Sequence, residues 1–151
     1  MKKNSVFNDE KSYLNSWYNI KKGFEEFFKE NSKDLKVNPA EAMFLSKIYY
    51  SDGISQREIA HDLIVSEANI TKTFKKLEEK ELVCKTIDNE NNARRNLHLT
   101  KKGEKTFENC IEIFKEFDNI IFEGLDDNQI EKMERQLKVV ADKSLKLAKK
   151  Q

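Results

Sequence analysis

Apolar residues recur every three to four positions over most of the chain, but every two positions over one short stretch between Leu82 and Leu99. The first helical stripe is Tyr13, Trp17, Ile20, Phe24 and Phe27, widened by Leu14, Tyr18 and Phe28. It predicts an amphipathic helix from about Glu10 to Glu30, preceded by a polar, frayed stretch from Asn4 to Asp9. After a loop from Asn31 to Val37, Asn38-Pro39-Ala40-Glu41 is a helix start: an Asn cap, Pro at the first position and Glu at the third. That helix runs to about Tyr50 with Ala42, Leu45, Ile48 and Tyr49 as core candidates. Asp52-Gly53 then makes a turn.

Ser55 with Glu58 three residues on forms a second capping box, and Ile59, Ala60 and Leu63 lie on one face of a short helix. The chain turns through Ile64 and Val65, and Ser66 offers another cap. Beyond it Ile70, Phe74 and Leu77 make a buried stripe, which leaves Asn69, Lys72, Thr73 and Lys76 largely towards solvent. At Leu82 the period changes. Val83, Lys85 and Ile87 alternate with Cys84 and Thr86, and after a polar tip from Asp88 to Ala93, Leu97 and Leu99 alternate with Asn96 and His98, as in half-buried strands. Two short crossing helices followed by a β-hairpin form a winged helix-turn-helix. Ile54 is placed to pair with this wing as a third short strand.

Two long helices follow. Thr100 caps the first, through Phe107, Ile111, Phe114, Phe117, Ile120 and Ile121 to Gly124. Asp126 with Gln129 opens the second, which carries Ile130, Met133, Leu137, Val140 and Ala141 and ends in the lysine-rich run Lys143 to Lys150. The fold class is mostly α with a small β-hairpin wing (α+β): a winged helix-turn-helix lobe at 38–100, flanked by a helical dimerisation region at 1–37 and 101–151. The flanking helices carry more aromatic surface than they can cover alone, which favours an obligate homodimer with intertwined terminal helices.

Composition adds constraints rather than a function. One proline and four glycines in 151 residues suit a helical protein, and 28 basic against 27 acidic residues give a net charge of +1. That balance does not advertise nucleic acid. The helix beginning at Ser66 is nonetheless locally basic, with Lys72, Lys75 and Lys76 against Glu67 up to that point. No apolar leader or membrane-length run is visible, so a cytoplasmic protein is expected. Cys84 and Cys110 form no CxxC and are expected to be ordinary buried thiols; His61 and His98 match no metal spacing. No cofactor, metal or enzymatic activity is expected.

The runs Ile54-Ser55-Gln56-Arg57-Glu58-Ile59-Ala60, Val65-Ser66, Ile70-Thr71-Lys72, Leu77-Glu78-Glu79-Lys80-Glu81-Leu82-Val83 and Leu99-Thr100-Lys101-Lys102-Gly103 resemble the MarR family of transcriptional regulators almost in register. The resemblance implies a homodimer that places two copies of the Ser66 to Glu81 helix in successive major grooves of a near-palindromic double-stranded DNA operator. Lys72 stands where the family often has a base-reading arginine. Ala68 and Asn69 are candidates for base contact, and Ser66, Thr71, Lys75 and Lys76 for phosphates. The family's wing has an aspartate followed two residues later by an arginine; counted back from Leu99, those places hold Asn91 and Ala93, with arginines at Arg94 and Arg95 instead. Either arginine could reach the minor groove.

The same resemblance implies a repressor modulated by a small aromatic effector or an oxidant, bound between the dimer helices and the DNA lobe. Trp17, Tyr18, Tyr49, Tyr50 and His61 are candidate wall residues. A lysine run alone reads as a solvated helix face, and an aromatic stripe alone as core. Two other function classes therefore stay open: a winged helix used as a protein-interaction module, and a thiol-based redox sensor.

Overall fold

The computed structural model describes residues 12–149. The frayed segment expected from Asn4 to Asp9, the first two residues of the helix expected from Glu10, and Lys150 lie outside the described residues. The chain runs α1 (Tyr13–Asn31), a single 3-10 turn (Lys33–Leu35), α2 (Pro39–Tyr50), α3 (Gln56–Leu63), α4 (Glu67–Glu79), β1 (Val83–Ile87), β2 (Arg95–Leu99), α5 (Lys101–Ile121) and α6 (Asp127–Lys149).

Local capping chemistry sets the boundaries. Asn38 with Glu41 and Ser55 with Glu58 form complete capping boxes, and the side chains of Ser66 and Thr100 each accept a hydrogen bond from the backbone N–H three residues on. Asp126 and Gln129 exchange the same pair of bonds before α6. Between α3 and α4 the chain reverses at Ile64, which takes the left-handed conformation at φ 53°.

The core lies where α2, α4, the wing base and α5 meet. Phe44, Leu45, Ile48, Ile59, Phe74, Leu77, Leu97, Phe107 and Cys110 are essentially inaccessible to solvent. Phe44 and Ile113 join the stripes expected on α2 and α5, because both helices are covered on more than one side. Cys110 is buried as expected, whereas Cys84 is exposed: on β1 only Val83 is buried, and Cys84 belongs to the face turned away from the core. Ile87, at the far end of the same strand, overhangs the core and is also exposed.

β1 and β2 pair antiparallel with Val83 opposite Leu99 and Ile87 opposite Arg95. Ile54 does not become a third strand. It makes a two-bond bridge instead: the Gly53 N–H donates to the Leu97 carbonyl at 2.9 Å, and the Leu97 N–H donates to the Ile54 carbonyl at 3.0 Å.

Two ties fasten the segment after α4 to its neighbours. Lys80, at the end of α4, donates to the buried Glu41 carboxylate at 2.9 Å and to the Lys36 carbonyl at 2.7 Å. Thr100 donates from its N–H to Leu82 and from its hydroxyl to the Glu81 carbonyl, bringing α5 so close that a Cβ on Gly103 would lie 1.9 Å from the Leu82 oxygen. Only glycine fits there.

Beyond this body, much apolar surface stays in water. On α1, Phe28 is buried and Phe24 and Phe27 pack on the α5 rings of Phe114 and Phe117. Tyr13, Trp17 and Ile20, expected on the same buried stripe, are more than half exposed. No residue of α6 is buried, although Met133, Leu137, Val140 and Leu147 give it an apolar side.

Candidate nucleic-acid interface

With Ile70, Phe74 and Leu77 fixed inward, a rotation of about 100° per residue turns Ala68, Lys72 and Lys75 to the opposite face of α4, with Asn69 and Lys76 beside them. All five are exposed. Ser66 is exposed too, but its hydroxyl oxygen is occupied as the cap, accepting from the Asn69 N–H at 3.2 Å. The resulting surface is a capped helix terminus followed by three lysines, a combination suited to polyanion contact. Thr71 stands apart. Its hydroxyl lies 3.0 Å from the Glu67 carbonyl and 3.3 Å from the Gln56 amide oxygen, so it joins α4 to α3 and is only partly open to a phosphate.

The wing separates its two arginines. Asp88, at the end of β1, organises the tip: one carboxylate oxygen accepts from the backbone N–H of Glu90 and of Asn91 at 2.9 Å, and the other accepts from the Asn96 amide at 3.1 Å. Arg94 folds back towards the lobe. Its Nε donates to the Asn96 oxygen at 3.0 Å, and its Nη2 donates to Glu58 at 3.1 Å and lies 3.5 Å from the Gly53 carbonyl. Arg95 stays at the tip, is exposed, and makes side-chain bonds to the carbonyls of Asn92 and Arg94.

The supporting carboxylates were hidden from the linear pattern. Asn91, which stands at the family's aspartate position, caps the tip through the Ala93 N–H instead. Asp88 does the supporting from just beyond β1, and Glu58 reaches Arg94 from α3 across 36 residues of sequence. Both acids are held below the ordinary carboxylate range. For Glu58 the chief cause is the Ser55 hydroxyl and then its N–H, with the Arg94 charge adding to them. For Asp88 it is the Asn96 amide and then the two tip N–H groups.

The five candidate effector residues do not converge within this chain. Tyr49 and Tyr50 pack on Phe107 with ring centroids at 5.0 and 6.1 Å, Trp17 lies under Lys21 on α1, and His61 sits by Asp62 at the surface. Tyr18, also on α1, is 43% exposed. Tyr49 does line a cavity of about 330 Å3 with Ile48, Asp52, Leu99, Glu104 and Glu108. A small aromatic anion would meet three carboxylates there. Asp52 is itself engaged: its carboxylate lies 2.8 Å from His98 Nδ1, while His98 Nε2 lies 2.8 Å from the Thr86 hydroxyl. Among the described residues no group of three His, Cys, Asp or Glu side chains is placed to hold a metal ion, and no helix is long and apolar enough to cross a membrane.

An exposed basic helix seated on a short capped partner, flanked by a hairpin whose tip carries arginine, defines a winged helix-turn-helix protein. Residues 37–95 match the MarR family model. The HTH-type transcriptional regulator BilQ of Clostridioides difficile (strain CD3) is 27% identical over 125 residues, which cover 82% of this chain and 84% of BilQ. The solved structure of MarR superposes with a TM-score of 0.81 at 19% identity, over 97% of this chain and 100% of that one. The S. aureus MepR–DNA complex superposes with a TM-score of 0.79 at 22% identity, over 89% and 99%. Residues 37–95 of the chain are thus similar to the MarR family, and its fold is the winged helix-turn-helix fold of these solved structures.

Proposed function

We propose that the chain acts in the cytoplasm as a homodimeric, sequence-specific DNA-binding regulator of transcription, a repressor whose affinity for a near-palindromic operator is modulated by a small ligand. The observation that carries the reading is the outward face of α4, where Ala68, Lys72 and Lys75 stand exposed beyond a capped N-terminus. A related protein of the same fold is named as a DNA complex, which supports the same use of this face.

Residues 38–100 serve as the DNA-binding lobe and the segments on either side, 1–37 and 101–151, as the dimerisation region. The exposed apolar side of α6 and the open half of α1 support that division, since surface of this extent on a lone chain calls for a cover. A twofold partner supplies one and sets two copies of α4 about one helical turn of DNA apart, roughly 34 Å.

In this arrangement Lys72 contacts base edges as a point donor, less strict in geometry than an arginine fork, with Ala68 and Asn69 beside it. Ser66, Thr71, Lys75 and Lys76 serve the backbone, and Arg95 enters the minor groove from the wing. A ligand acts by favouring the dimer shape that holds the two α4 helices out of step with the grooves; a tenfold preference is worth about 1.4 kcal/mol.

Fluorescence titration of operator duplex against Lys72→Ala and Lys75→Ala tests the roles. Lys72→Ala relaxes base preference at its position. Lys75→Ala weakens all sequences alike and lowers the salt slope by about one. Identical behaviour of the two variants would overturn the assignment.

A further inference from the structure

We propose that Arg94 is a positioning residue rather than a DNA contact: a latch that fixes the wing to the start of α3 and so aims Arg95. The proposal rests on the DNA-binding reading above. Its ground is the number and direction of Arg94's bonds. One guanidinium joins three elements, bonding Asn96 on β2 at 3.0 Å and Glu58 on α3 at 3.1 Å and approaching the Gly53 carbonyl in the α2–α3 turn at 3.5 Å. Asp88 at the end of β1 lies 3.9 Å from Nε and holds Asn96 in place through its other bond.

The acceptor on α3 is not a free surface acid. Glu58 Oε2 also receives the Ser55 N–H at 2.8 Å and the Ser55 hydroxyl at 2.7 Å, so the carboxylate that caps α3 is the one that anchors the wing. A wing movement therefore pulls on the end of the helix that supports α4. The backbone bridge between Gly53, Ile54 and Leu97 lies beside the same contact and strengthens it. These partners engage the Nε and Nη2 of Arg94 and turn its guanidinium towards the lobe, whereas Arg95, one residue on, bonds only tip carbonyls and stays exposed.

The alternative, that Glu58 merely stores an arginine which DNA then captures, makes the opposite prediction in sign. In that case Glu58→Gln frees Arg94 and removes an acid from beside a polyanion, and operator binding tightens. With a latch, Glu58→Gln loosens the wing and operator binding weakens, by about twofold to fivefold for a partly exposed pair. Gln still accepts the Ser55 N–H, so the cap is kept.

The test uses the full chain with Glu58→Gln, Arg94→Gln, Arg95→Ala and the doubles, in operator titrations at several salt concentrations and in amide hydrogen exchange without DNA. The latch predicts weaker binding in Glu58→Gln and Arg94→Gln, no further loss when the two are combined, and little added loss from Arg94→Gln once Arg95 is alanine. It also predicts faster exchange at the Gly53 and Leu97 amides in Arg94→Gln, an effect independent of DNA. Tighter binding by Glu58→Gln, or additive losses from Arg94→Gln and Arg95→Ala, would overturn it. If the unaltered protein binds no duplex, the regulator reading fails, and the latch stands or falls on the exchange at Gly53 and Leu97 alone.

Discussion

Gly103→Ala puts a methyl group where the structure has no room for one. Its Cβ would lie 1.9 Å from the Leu82 oxygen, 2.9 Å from its carbonyl carbon and 3.3 Å from its Cα, so the α5 terminus must retreat by about 1 Å even to reach the tightest contacts that real Cβ atoms make. Backbone on both sides resists. The same retreat stretches three bonds at this junction: Thr100 N–H to Leu82 at 3.1 Å, the Thr100 hydroxyl to Glu81 at 2.6 Å, and Lys102 to the Lys80 carbonyl at 2.8 Å. Overpacking costs about 1–3 kcal/mol and each weakened bond up to about 1 kcal/mol, against at most about 1 kcal/mol returned by replacing glycine in a helix. The net loss is about 2–4 kcal/mol, or a fall in Tm of roughly 5–15 °C for a chain of this length. Thermal and urea unfolding followed by circular dichroism, at one fixed protein concentration because a dimer's Tm depends on it, measure the loss. A variant within about 0.5 kcal/mol of the parent would refute the reasoning, since the α5 terminus would then have to yield far more easily than this close packing allows.

Other outcomes follow from the same geometry. In the native protein at neutral pH, an alkylating reagent modifies Cys84 and spares Cys110, which is fully covered and whose thiol burial pushes up to about 11; comparable labelling of both would contradict the packing of α5. The lowered carboxylates of Glu58 and Asp88 contribute stability that is fully present above their unfolded range, roughly pH 4 to 4.5, and is lost as pH falls through their lower folded values. Acid titration followed by amide exchange at the wing should show that loss below pH 4 and be blunted in Glu58→Gln; an unchanged acid profile in that variant would remove Glu58 from the account.

The elements legible in the sequence are those fixed by residues three or four positions apart. Asn38 with Glu41, Ser55 with Glu58, and Asp126 with Gln129 each carry a complete instruction within one turn of chain, and each cap forms. The outward lysines of α4 are legible for the same reason, because Ile70, Phe74 and Leu77 leave one inward face. What the sequence could not show depends on distant partners. Arg94 and Glu58 are brought together only when the wing folds back on α3, so a pair of adjacent arginines gave no sign that one of them is committed. Alternation placed Ile87 and Cys84 on opposite strand faces, but burial also depends on how far the core extends beneath the hairpin, and it ends before Ile87. On α1 the stripe is real, yet Tyr13, Trp17 and Ile20 stay more than half exposed among the described residues. Their periodicity identifies a face and not its partner.

The proposed regulator is a dimer that reads a twofold DNA site through α4. Selection of bound fragments from random duplex DNA by the purified protein, at two salt concentrations with its mass in solution recorded alongside, tests this most directly. A dimer of this kind has a mass of twice 17.8 kDa and selects a near-palindromic motif with half-sites about 10 bp apart, bound more weakly as salt rises. A monomer, or recovery of no motif with only salt-sensitive binding to every fragment, would contradict it.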